Sequence, residues 1–81
     1  MASLIFLDTP LHEQVRAARA LKRWTQAETA FYASDWMKKR GRPPIVKITP
    51  ADVGYLEKGA RVKPWRRSAI LAVLGLEDAP L

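Results

Sequence analysis

Ten basic side chains fall between Lys38 and Arg67 (Lys38, Lys39, Arg40, Arg42, Lys47, Lys58, Arg61, Lys63, Arg66 and Arg67), against two acidic ones, Asp52 and Glu57. A local balance of +8, in a chain whose net charge is +6, is the footprint expected of a surface that meets a polyanion. The plainer alternative is a solvated basic face that keeps a small domain in solution. Catalytic chemistry has far less to work with. No histidine–carboxylate pair, activated nucleophile or phosphate-binding loop is present, so no enzyme activity is expected. His12 is the single histidine and has no ligand partner at metal spacing, so it reads as an exposed first-turn residue; neither a metal nor another cofactor is expected. The chain has no cysteine, which removes disulfide or thiolate frameworks and fits a reducing compartment.

The basic residues are positioned by a short helix whose limits are written into residues 48–59. Thr49 can cap with its hydroxyl, Pro50 fits the first helical position, where no amide hydrogen is needed, and Asp52 completes a capping box. Gly59 supplies the left-handed residue that ends the helix. Val53 and Leu56, three apart, form an apolar stripe, while Ala51, Asp52 and Tyr55 project elsewhere and Lys58 closes the last turn. One face packs and the other is free to touch a partner.

The 81 residues make one small domain, with too little chain for a deep cleft. Leu4, Ile5, Phe6 and Leu7 have β character and predict either a short edge strand or a flap on the core; the run is too short for a membrane span or a signal peptide. A cytoplasmic chain is therefore expected, with no membrane partner. Thr9 and Pro10 signal a first helix over 10–22, with Thr9 as cap, Leu11, Val15 and Ala18 inward, and Arg16, Lys22 and Arg23 outward. Thr25 and Glu28 form a second capping box. A last helix is expected from Pro64 to Gly75, with Trp65 in the core. Few residues follow it, so no sensor domain is expected. Short capped helices on short connectors predict an all-α bundle of four to five helices.

Several of these pieces resemble, in order and spacing, the helix-turn-helix domain of the lambda repressor and Cro family. Thr25-Gln26-Ala27-Glu28 with Ala30 is similar to that family's second helix, and Ile48-Thr49 through Val53, Leu56, Glu57 and Gly59 to its third. Pro64 followed by Ile70, Val73, Leu74, Gly75 and Leu76 is similar to its closing segment. The resemblance implies a single helix-turn-helix domain over 1–81, acting as a homodimeric DNA-binding regulator of transcription. A phage or mobile-element Cro-like repressor on a two-fold operator is the expected kind. It also implies that Arg19 pairs with Glu57 and that Gln26 meets a DNA phosphate. Thr49, Pro50, Ala51 and Tyr55 would lie nearest the base edges, and Lys58, Arg61, Lys63, Arg66 and Arg67 would grip the backbone. None of the four is an Arg, Asn or Gln that reads a base bidentately, so charge and DNA shape are expected to supply much of the binding.

The departure from the family is an insert at about 31–47, where a tight turn of roughly 3–4 residues is usual. Its first half can extend the second helix, with Phe31, Trp36 and Met37 packing; Gly41, Pro43 and Pro44 stop it after Arg40. The remainder predicts a basic loop. Lys39, Arg40, Gly41 and Arg42, followed by Pro43, resemble the core of an AT-hook, in which arginines follow a narrow minor groove. The rival from another class is a helix-turn-helix fold reused to bind a protein, as an antiactivator or antitoxin, with Trp36 and Trp65 at the contact.

Overall fold

Helix-forming segments here are short and depend on their ends, and the computed structural model, which describes residues 9–41 and 47–76, has each helix closed by a local device. Among the described residues there are four helices and no strand: α1 Leu11–Lys22, α2 Gln26–Lys39, α3 Pro50–Glu57 and α4 Pro64–Val73. Leu4, Ile5, Phe6 and Leu7 lie outside the described residues, as do Arg42 and Pro43 of the AT-hook-like run. No helix among the described residues is long and apolar enough to cross a membrane.

The helix starts follow the side chains, with one correction. Thr25 accepts from the Glu28 amide and Glu28 accepts from the Thr25 amide, and Thr49 and Asp52 do the same at α3. Each box satisfies two amides that a helix N-terminus otherwise leaves unpaired. Thr9, expected to cap α1, does not. Pro10 takes the cap position with no side-chain cap bond, and the Thr9 carbonyl accepts instead from the Gln14 side chain at 2.7 Å. The residue three after Thr9 is His12, so the carboxylate that closes the box at α3 has no counterpart here.

Helices α1, α3 and α4 end in one motif, in which a residue with positive φ turns the chain so that two further amides satisfy the last carbonyls. At α3, Gly59 (φ 78°) donates to the Leu56 carbonyl and Ala60 to the Tyr55 carbonyl. At α1 the same place is taken by Arg23, at φ 59°. A side chain there costs roughly 1 kcal/mol relative to glycine, so the end of α1 is set by packing beyond it and not by propensity.

The core is built from one face of every helix: Val15 and Ala18 of α1; Ala30, Ala33 and Met37 of α2; Val53 and Leu56 of α3; Ala69, Ile70 and Leu71 of α4. Helix α2 packs on both α3 and α4, and α1 on α3. Alanines at 30, 33 and 69 bring the helix backbones close, so the long side chains Met37, Ile70 and Leu71 fill the remaining space. Trp36 and Trp65 are partly buried against this core. Phe31, expected to pack with Trp36 and Met37, is 67% exposed. At about 100° per residue, Phe31 lies roughly 100° to 160° around the helix from Ala30, Ala33 and Met37, off the face they bury. The insert thus begins inside α2 and lengthens it regularly.

Candidate nucleic-acid interface

Helix α3 has two clean faces. Val53, Leu56 and Glu57 are buried, whereas Ala51, Tyr55 and Lys58, at i, i+4 and i+7, form an exposed stripe with Pro50 beside it. Gly54 borders the stripe. A side chain added at Gly54 would lie 3.5 Å from the Gln26 amide, an ordinary contact, so packing within the chain does not demand glycine there. Tyr55 is the aromatic side chain on the stripe, 53% exposed.

Two charged contacts hold α3 in place. At its C-terminal end Glu57, only 4% exposed, receives Arg19 Nε at 2.5 Å and Arg19 Nη2 at 3.1 Å. Gln26 Nε2 lies 3.5 Å from the same carboxylate. The hydrogen bond from Arg19 to Glu57 is the chief reason the guanidinium is held above its usual range; burial opposes this and the charge of Glu57 adds to it. Arg19 Nη1 also donates to the Trp24 carbonyl at 2.9 Å, tying the α1–α2 turn into the same network. Arg16, expected to face outward, is exposed but reaches back to donate to the Glu57 carbonyl at 3.3 Å, where a cation suits the helix C-terminus.

At the N-terminal end Asp52 accepts from the Thr49 amide at 2.8 Å and from Arg66 Nη1 at 2.6 Å. The same Arg66 nitrogen donates to the Lys47 carbonyl at 2.8 Å, and its guanidinium lies 4.4 Å from the Trp65 ring centre. Arg66, expected on the DNA backbone, is therefore occupied in bracing α3 against α4. Ser34 fixes the approach to α3: its hydroxyl accepts from the Ile48 amide at 2.9 Å and lies 3.2 Å from the Ile48 carbonyl.

The residues singled out in the sequence are thereby divided. Thr49, Pro50, Ala51 and Tyr55 lie on or beside the open face of α3, although the Thr49 hydroxyl is engaged with Asp52. Gln26 stands at the start of α2 against Gly54. Lys58, Arg61 and Lys63 are exposed on the segment that leaves α3. Arg67 is part-buried and lines a cleft of about 320 Å³ with Leu11, His12, Leu56 and Val62. His12, expected to be exposed, is itself half-buried against Gly59.

In the insert, Lys39 pairs with Asp35 at 3.0 Å, and the Arg40 guanidinium lies 4.2 Å from the Trp36 ring centre. Gly41 has φ 83°. Arg42 lies outside the described residues. Asp52–Arg66 and the Ser34 bridge were missed in the sequence because each joins positions 14 residues apart, with no local pattern linking them. Among the described residues no group of three or more His, Asp or Glu side chains is placed to hold a metal ion. Comparisons of the chain with protein-family models, with characterised proteins and with solved structures found no match.

Proposed function

We propose that this chain is a sequence-specific DNA-binding regulator of transcription, a cytoplasmic Cro-like repressor that acts as a homodimer on a two-fold operator. The observation that carries this reading is α3 itself. It is capped, braced at both ends and packed on one face, while Ala51, Tyr55 and Lys58 present an uncovered stripe with basic residues just beyond it. A helix so held suits rigid entry into the major groove, which admits an α-helix. Small residues at 51 and 54 permit a close approach, Ala51 suits a thymine methyl, and Tyr55 can donate to a base or phosphate. Lys58, Arg61 and Lys63 then supply backbone contacts, and Gln26 at the N-terminus of α2 suits a phosphate.

Few base readers per copy mean that one domain alone discriminates weakly, and twinned half-sites about 10 base pairs apart raise both affinity and specificity. Repression follows from occupying promoter DNA that polymerase needs. The test is titration of the chain against its own upstream promoter DNA over a salt series, with random DNA as competitor. The expected result is competitor-resistant binding whose logarithm falls linearly with log salt. Lys58→Glu and Arg61→Glu should weaken it on every sequence, whereas Tyr55→Ala should narrow the gap between promoter and random DNA. Equal affinity for promoter and random DNA would remove the specific-regulator reading. A second reading, a protein-binding antiactivator or antitoxin, is favoured by the exposed aromatic side chains of α2.

A further inference from the structure

Lys38, Lys39 and Arg40 are consecutive at the end of α2, and the fold gives them different work. Lys39 pairs with Asp35, and the Arg40 guanidinium lies over the Trp36 ring. Lys38 is exposed and has no side-chain partner among the described residues. It stands one turn after Ser34, at i+4, so the two share an edge of α2. That edge borders α3, because the Ser34 hydroxyl accepts from the Ile48 amide at 2.9 Å just before α3 begins. Lys39 and Arg40 lie further round the helix, roughly 100° and 160° from Lys38.

Lys47 comes to the start of α3 from the other end of the insert. It is exposed, and it joins the surrounding network only through its carbonyl, which accepts from Arg66 at 2.8 Å. The acidic group at this end of α3, Asp52, is held by Arg66 and the Thr49 amide, so its charge is already offset. Glu57 lies at the far end of α3 with Arg19, and Asp35 is engaged by Lys39. Lys38 and Lys47 thus stand beside the first turn of α3 with no carboxylate left to neutralise them. The open stripe of α3 begins at the same place, with Pro50 and Ala51. Lys58 and Arg61 stand at the opposite end of a helix of 8 residues, which spans about 12 Å. The major groove is also about 12 Å wide, so cations at both ends of α3 can meet the phosphates on either side of it.

We propose that Lys38 and Lys47 form a second phosphate-binding site, which grips the DNA backbone beside the first turn of α3 while Lys58 and Arg61 grip it beside the last. The inference rests on the reading of α3 as the helix that enters the major groove, and it gives the insert a role there. Both lysines belong to the insert, so the backbone contact extends beyond the one the segment after α3 supplies. Phosphate contacts fix position and carry no sequence information. The site therefore raises affinity for every DNA alike and leaves discrimination to the open face of α3.

Binding of the full chain to its own upstream promoter DNA and to random DNA, each over a salt series, tests this. Each phosphate contact adds about 0.9 to the slope of log affinity against log salt. Lys38→Gln should therefore flatten the slope by about 0.9, and Lys38→Gln/Lys47→Gln by roughly 1.8, on both DNAs. The ratio between promoter and random DNA should stay the same, as should the melting temperature, since both side chains are exposed. Lys39→Gln removes the same charge from the neighbouring residue and should change the slope by less than about 0.5. A double variant with the wild-type slope overturns the site. So does a Lys39→Gln variant that matches Lys38→Gln, because the lysines then act through net charge alone. A wild type that prefers neither DNA, yet loses slope in the double variant, removes the regulator reading and keeps the phosphate site. Promoter preference with an unchanged slope does the reverse, and a wild type that binds neither DNA removes both.

Discussion

The two charged contacts that hold α3 look alike in chemistry and differ in environment. Arg19 meets Glu57 through two nitrogens, and the carboxylate side chain is 5% exposed; Arg66 meets Asp52 through one nitrogen, with side chains 25% and 16% exposed. Asp52 keeps hydrogen bonds from the Thr49 amide and hydroxyl if Arg66 leaves, and water can reach it. Without Arg19, Glu57 keeps the long approaches of Arg16 at 3.9 Å and Gln26 at 3.5 Å. The difference teaches that burial, more than the pairing itself, decides how much the fold depends on a contact, because a buried charge without its main partner is the costly state.

The sharpest way to break the comparison is Arg19→Ala, which should destabilise the fold by about 3 kcal/mol and appear as a large fall in the midpoint of chemical denaturation. The raised ionisation of Arg19 makes a sign prediction as well. Its contribution is complete below the unfolded arginine value and is lost only as pH rises through the higher folded value, so this group should add no pH dependence near neutrality. Arg66→Ala should cost about 1.5 kcal/mol. In a double-mutant cycle the two losses should add to within about 0.5 kcal/mol, since the pairs share no partner. A strong coupling would mean that α3 moves as one body when either end is released.

The smallest expected effect concerns the open face between the two braces. Gly54→Ala should stabilise the chain by up to about 1 kcal/mol, because alanine is the better helix former and the added carbon meets only an ordinary contact with Gln26. If Gly54 serves close approach to DNA, the same variant should bind promoter DNA more weakly while melting at a higher temperature. A variant more stable and equally tight would take Gly54 out of the interface.

Much of this fold was legible because its signals are local. Thr25 with Glu28, Thr49 with Asp52, and Gly59 and Gly75 lie within a few residues of the amides and carbonyls they serve, so the limits of α2, α3 and α4 follow from spacing. The breaking of α2 at Gly41 is of the same kind. Thr9-Pro10 is the same dipeptide as Thr49-Pro50, which caps α3; what α1 lacks is a carboxylate three residues after the threonine, where His12 stands in the place that Asp52 takes in α3. Arg23 was not foreseen as a helix terminator because its side chain opposes the backbone it adopts. Of the candidate site, the open face of α3 could be read from the buried pair Val53 and Leu56, and the Arg19–Glu57 pairing from the resemblance.

The sequence by itself determined where helices start and stop, that they form an all-α bundle, and that positive charge gathers in its second half, since capping, chain breaking and charge are properties of a few neighbouring residues. The tertiary structure decided which of those charges are free. Arg66 and Arg67 are adjacent and chemically identical, yet Arg66 is bound to Asp52 and Arg67 is part-buried in the wall of a cleft whose rim Arg61 shares, while Lys58 and Arg61 are themselves exposed. It also decided that Phe31 and Tyr32 stay outside. Whether a side chain is available depends on what the folded chain brings to it across many residues, and only packing settles that.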